Sequence, residues 1–139
     1  MSKVFLDTNV VLYSIDRSSP RKRDQARELL RAAAEQGNGA ISAQVLQEAH
    51  VAGTRKLGVD PMTMKQIVAS LGNMEVVIVD APMVQRAIDL AILDQISFWD
   101  GLILAAAGAA QCDIVWTEDL SDGQTIGGVR IENPFKARP

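Results

Sequence analysis

Short apolar runs alternate along the chain with amphipathic stretches and turn residues. Val4-Phe5-Leu6 is a brief β-type run that stops at Asp7, and residues 9–15 follow it directly with helical character. Ser19-Pro20 reads as an N-cap with proline at the first helical position. Ala26, Leu29, Leu30, Ala33 and Ala34 then recur at three-to-four spacing up to Gly37, a suitable C-terminal glycine. Gly39-Ala40-Ile41 is a strand candidate, Ser42 caps a helix running to Lys56, and Asp60-Pro61 opens another ending near Gly72. Val76-Val77-Ile78-Val79 is the clearest strand, a continuous β-branched run of the kind buried in parallel sheets. Asp80 caps a helix over 82–93, Ser97 caps one over 98–111, and residues 113–116 and 129–131 are the last strand candidates. Strands alternating with helices of this length predict βαβ units. The expected architecture is one α/β domain over residues 1–139, three-layered α/β/α with a mostly parallel central sheet.

Composition narrows the chemistry. The chain has 139 residues, enough to bury a core without staples. One cysteine, Cys112, excludes an intrachain disulfide, and one Cys with one His, His50, cannot build a zinc site of the usual kind. Any metal would be a hard ion held by oxygen. Asp7 interrupts the apolar stretch that a signal peptide needs, and the longest uncharged apolar run, 101–112, is shorter than the roughly 20 residues that span a bilayer. A cytoplasmic protein with no membrane partner is expected. The net charge of −3, from 14 basic and 17 acidic side chains, argues at first sight against a nucleic-acid partner.

Four acids change that picture. In open α/β sheets the active crevice lies outside the carboxyl ends of the strands. Asp7 and Asp119 follow two strand candidates, Glu48 lies mid-helix near the flank of an apolar face, and Asp100 opens a helix that is otherwise apolar nearly all round. Each also has an ordinary reading: a turn residue for Asp7, a capping-box partner of Ser97 for Asp100, an acid reaching past the apolar face into solvent for Glu48, and an ordinary loop acid for Asp119. If they converge, repulsion decides. Two carboxylates about 4 Å apart repel by roughly 4 kcal/mol at an effective dielectric near 20. Such a cluster takes up protons or binds cations, and carboxylates without His or Cys select Mg²⁺ or Mn²⁺.

The segments Val4-Phe-Leu-Asp7-Thr-Asn9, Ser42-Ala-Gln-Val-Leu-Gln-Glu48, Phe98-Trp-Asp100-Gly-Leu-Ile-Leu-Ala-Ala-Ala107 and Thr117-Glu-Asp119-Leu resemble, in order, the motifs of PIN domains. The stretch from Asp122-Gly-Gln to Gly128-Val-Arg-Ile-Glu-Asn133-Pro-Phe135 is similar to the ending of VapC-type toxins of bacterial toxin–antitoxin pairs. The resemblance implies a Mg²⁺- or Mn²⁺-dependent endoribonuclease using one or two ions. Asp7, Glu48, Asp100 and Asp119 match the family's acidic quartet, with Asp7 and Asp100 as the most direct ligands. Asn9 and Thr117 match polar residues that support the first and last acids. An RNA substrate, a VapB-type antitoxin and a homodimer are the implied partners. The other reading is a catalytically silent PIN-like module that binds RNA or protein. Gly101 stands where the family often has alanine, at a helix cost of about 1 kcal/mol at most.

The remaining features carry weaker readings. Arg17, Arg21, Lys22, Arg23, Arg27 and Arg31 form a basic stretch, read either as a solvated helix face or as contacts to RNA phosphates, with Arg55 and Lys56 similar. Trp99 is expected to pack in the core, with base stacking as its other reading, and Asp122 to lie outside the metal set. His50 has no role in a metal mechanism. Gly123, Gly127 and Gly128 lack the Lys-Ser/Thr pair of a phosphate loop. A phospho-acceptor receiver is disfavoured, because Asp7 stands alone after its strand and no Lys lies between Lys65 and Lys136.

Overall fold

A computed structural model describes residues 2–136. The elements in chain order are β1 (Val4–Leu6), α1 (Thr8–Tyr13), α2 (Pro20–Gln36), β2 (Gly39–Ser42), α3 (Ala43–Arg55), α4 (Pro61–Leu71), β3 (Glu75–Val77), α5 (Ala81–Asp94), α6 (Phe98–Ala109), β4 (Ile114–Trp116), β5 (Thr125–Ile126) and β6 (Val129–Glu132). They form the expected α/β fold around one six-stranded sheet in the order β3-β2-β1-β4-β6-β5. All neighbours pair in parallel except β5 with β6.

Local chemistry fixes most element starts. Ser42, Asp60, Asp80 and Ser97 each accept a backbone amide as N-caps of α3, α4, α5 and α6. Pro20 stands at the first turn of α2 as expected, but Ser19 makes no side-chain cap bond. Gly37 ends α2 in the left-handed conformation at φ +64°. The core joins Phe5, Leu6, Ile41, Val115 and Ile131 from the strands to Val10, Val45, Met64 and Leu104 from the helices, all essentially solvent-free. In α6 every residue from Gly101 to Ala107 is buried, which accounts for its nearly uniform apolar character.

Three expectations change. The run 76–79 is a parallel strand but not a buried one: β3 covers Glu75–Val77 at the sheet's edge, and Ile78 is 70% exposed. Trp99 is not core but 61% exposed. The strand β5 was not foreseen. It forms a hairpin with β6 through Gly127-Gly128, at φ +58° and +82°, the signs a type I′ two-residue turn demands. Among the described residues no single helix is long and apolar enough to cross a membrane.

Candidate active site

The site forms where β1 and β4 end side by side. The Asp7 amide donates to the Trp116 carbonyl at 3.1 Å, so the first acid leaves β1 beside the chain entering the 117–119 turn. Asp7 is the N-cap of α1, and its Oδ1 accepts from the Thr8 amide at 2.7 Å. Its Oδ2 accepts from the Thr117 hydroxyl at 2.7 Å. That hydroxyl oxygen in turn accepts from Asn9 Nδ2 at 3.3 Å and from the Asp119 amide at 3.1 Å. Thr117, fully buried, therefore joins the first acid, the last acid and Asn9.

Helices bring the other two acids. Asp100 lies in the first turn of α6, where its amide donates to the Ser97 hydroxyl at 3.0 Å. Glu48, on α3, accepts through Oε1 from the Thr8 hydroxyl at 2.9 Å and from Gln44 Nε2 at 3.4 Å. Asp7, Glu48, Asp100 and Asp119 all line one cavity of about 280 Å³, together with Asn9, Gln44, Lys56 and Trp99. A larger groove, about 820 Å³ and walled by Leu30, Ala33, Ile67 and Leu71, holds none of the four.

Electrostatics follows burial. Desolvation pushes the Asp7 carboxyl up to about 6, against the bonds from Thr117 and Thr8, and the charges of Asp119 and Glu48 add to the rise. Asp100 is also raised, first by burial, with Asp119 adding and the Ser97 hydroxyl opposing. Among the described residues no three acids converge as a ready ion-holding group. Hydrogen bonds to Thr8 and Thr117 hold Glu48 and Asp7 in place. The donor chemistry nonetheless fits a hard divalent ion: the acids offer only oxygen, and the amide oxygens of Asn9 and Gln44 are buried without a partner.

Thr8 and Gln44, which line the cavity, were not marked as site residues by the sequence. Gln44 had a signal, since it sits one helical turn before Glu48. Trp99 stands at the cavity, held edge-to-face against Phe98 with ring centroids 5.1 Å apart. Most of the basic stretch is engaged internally. Lys22 pairs with Glu118, Arg23 with Asp24 and Arg31 with Glu28 and Glu35, while Arg27 donates to the Ser14 carbonyl at 2.8 Å. Asp122 lies outside the cavity and accepts from the Asn133 amide at 2.8 Å.

A mostly parallel sheet flanked by helices, with an acid-lined cavity at the carboxyl ends of β1 and β4, defines a class of domain. The PIN domain family model matches residues 4–121, and the chain belongs to that family. Among solved structures it is similar to a toxin–antitoxin complex from Klebsiella pneumoniae, with TM-score 0.70, 20% identity and coverage of 97% of this chain and 100% of that one. It is also similar to DNA-bound VapBC from Salmonella typhimurium, with TM-score 0.68, 25% identity and coverage of 95% and 98%. VapC20 from Mycobacterium tuberculosis, a sarcin-ricin-loop-cleaving toxin, aligns with TM-score 0.68 and 18% identity over 84% of this chain and 90% of that one. Comparison with curated proteins gave no significant match.

Proposed function

We propose that the protein is a metal-dependent endoribonuclease that hydrolyses RNA phosphodiester bonds, acting as the toxin of a toxin–antitoxin pair. The observation that carries this reading is the gathering of Asp7, Glu48, Asp100 and Asp119 around one small cavity in a PIN fold. In this reading Asp7 and Asp100 hold Mg²⁺ or Mn²⁺, one or two ions, and Glu48 and Asp119 complete the set directly or through water. When bound, the ion supplies positive charge against the scissile phosphate and eases ionisation of water. The chain's own part is preorganisation. The Thr8 amide and Thr117 hydroxyl orient Asp7, and Thr8 and Gln44 orient Glu48. Asn9 supports Thr117.

The partners follow from charge and likeness. A VapB-type antitoxin fits the likeness to VapBC complexes, and an acidic cavity favours an arginine from such a partner through charge-assisted hydrogen bonds. A second copy of the chain is the further partner in this reading, and the cytoplasm its place of action. Purified protein incubated with a pool of structured RNAs tests the activity: cleavage is expected with Mn²⁺ or Mg²⁺ and none with chelator. Asp7→Asn and Asp100→Asn should each cut at least about 100-fold more slowly while circular dichroism stays unchanged. Metal-independent cleavage overturns the mechanism, and no cleavage under any metal condition favours the silent binding module.

A further inference from the structure

Glu118 sits between two residues of the site, Thr117 and Asp119, yet its own carboxylate does not line the cavity. It is held elsewhere. Its Oε1 accepts from the Tyr13 hydroxyl, and its Oε2 accepts from the Lys22 ammonium at 2.9 Å. Lys22 also donates to the Tyr13 hydroxyl at 3.2 Å. The ammonium lies 4.6 Å from the Tyr13 ring centroid and 5.8 Å from that of Phe135, and the two rings meet edge-to-face at 4.9 Å. Four separate segments thus meet: the end of α1, the start of α2, the turn after β4 and the loop after β6.

A lone ion pair this exposed would add little. Here two aromatic rings and a shared hydroxyl fix its geometry, which adds cation–π attraction and removes side-chain freedom. The placement along α1 gives the cluster its consequence. Asp7 caps the first end of that helix and Tyr13 is its last residue. Thr117 grips Asp7, and the very next residue, Glu118, grips Tyr13. Two consecutive residues of one turn therefore clasp both ends of a six-residue helix, about 9 Å long. Asp119 follows immediately, so its place relative to Asp7 depends on that clasp.

We propose that Glu118 is a positioning residue for the acid cavity: anchored by Tyr13 and Lys22, it fixes the 117–119 turn so that Asp119 and Asp7 share one ligand-holding site. The inference rests on the ribonuclease reading for its kinetic readout, but it also has a readout independent of activity. Glu118→Ala, Glu118→Gln and Tyr13→Phe would be compared with wild type by Mn²⁺ titration calorimetry and by kcat and KM on an RNA that wild type cuts. Removing a residue that orients ligands commonly costs roughly 10–100-fold in metal affinity or activity. Glu118→Ala should show such a loss in Mn²⁺ affinity or kcat, with KM within about twofold. Glu118→Gln should recover part of it, since its amide oxygen still accepts from Tyr13 or Lys22.

A Glu118→Ala protein with a lower Tm but unchanged Mn²⁺ affinity and kcat overturns the proposal, leaving only a structural contact. So does a glutamine variant that recovers nothing. Should Glu118→Ala fail to fold, Tyr13→Phe keeps the ring packing and loses only the hydroxyl, and a loss of a few fold is expected from it; no loss there overturns the proposal. Wild-type protein that binds Mn²⁺ but cuts no RNA overturns the ribonuclease reading alone, and the affinity arm still decides the role of Glu118. Wild-type protein that binds no Mn²⁺ overturns both.

Discussion

Asp7 concentrates the tension of the site in one side chain. It is buried, and burial lifts its carboxyl from the usual 3.8 to about 6. A carboxyl whose pKa rises on folding holds its proton more tightly in the native state. Its contribution to stability is therefore complete below the ordinary carboxylate range and is lost as pH rises through about 6. The difference corresponds to about 3 kcal/mol. Metal-free protein melted across pH 4 to 7.5 should lose stability over that window, Asp7→Asn should flatten the slope, and Mn²⁺ should restore stability at the upper end. A wild-type profile equal to that of the variant would refute the burial effect. Asp100 is raised in the same sense, so metal-free Asp100→Asn should melt at or above wild type. A clear fall in Tm would instead make Asp100 chiefly a helix-start residue. Asp7, Asp100 and Asp119 stood out as carboxylates at strand and helix ends beside apolar neighbours, and Glu48 as an acid mid-helix near the flank of an apolar face. Thr8 and Glu118 did not, since a hydroxyl beside an acid and an acid in a turn are ordinary in sequence. Their importance comes from partners 40 and 105 residues away.

Element packing explains a glycine that helix propensity alone treats as a weakness. A Cβ at Gly101 would lie 2.5 Å from the Ala87 carbonyl oxygen, so α5 and α6 approach as closely as they do only because that position is bare. Gly101→Ala gains at most about 1 kcal/mol of helix propensity. Against that stands overpacking of typically 1–3 kcal/mol. A net fall in Tm is expected by calorimetry, and an unchanged or raised Tm would show that the helices part freely. The same scale shows why one strand was misplaced and another missed. Four β-branched residues read alike at the centre or edge of a sheet, and only pairing decides; among the described residues β3 has β2 on one side and no strand on the other. The strand β5 has two residues, too few for any periodicity, although the Gly127-Gly128 pair before Val129 was itself a hairpin signal.

For the whole molecule, the charge of −3 reads differently once the site is drawn. Setting aside the four cavity acids leaves 13 acidic against 14 basic residues. With cations in the cavity, overall charge no longer opposes an RNA substrate. The surface also carries large exposed apolar side chains. Ile88 and Ile92 lie one turn apart on α5 and are 37% and 70% exposed, beside Leu93 at 76%. In the dimer reading this face is the contact, so Ile92→Glu should shift light-scattering mass from two chains to one, and a mass unmoved by the change would place the contact elsewhere. The bond between Thr117 and Asp7 spans 110 residues, and β1 lies in the sheet between β2 and β4. A chain emerging from the ribosome presents Asp7 first of the four acids, yet cannot give it the Thr117 hydroxyl until 110 further residues have been made. The order of synthesis thus acts as a delay: an unfinished copy carries the first acid without the assembled cavity.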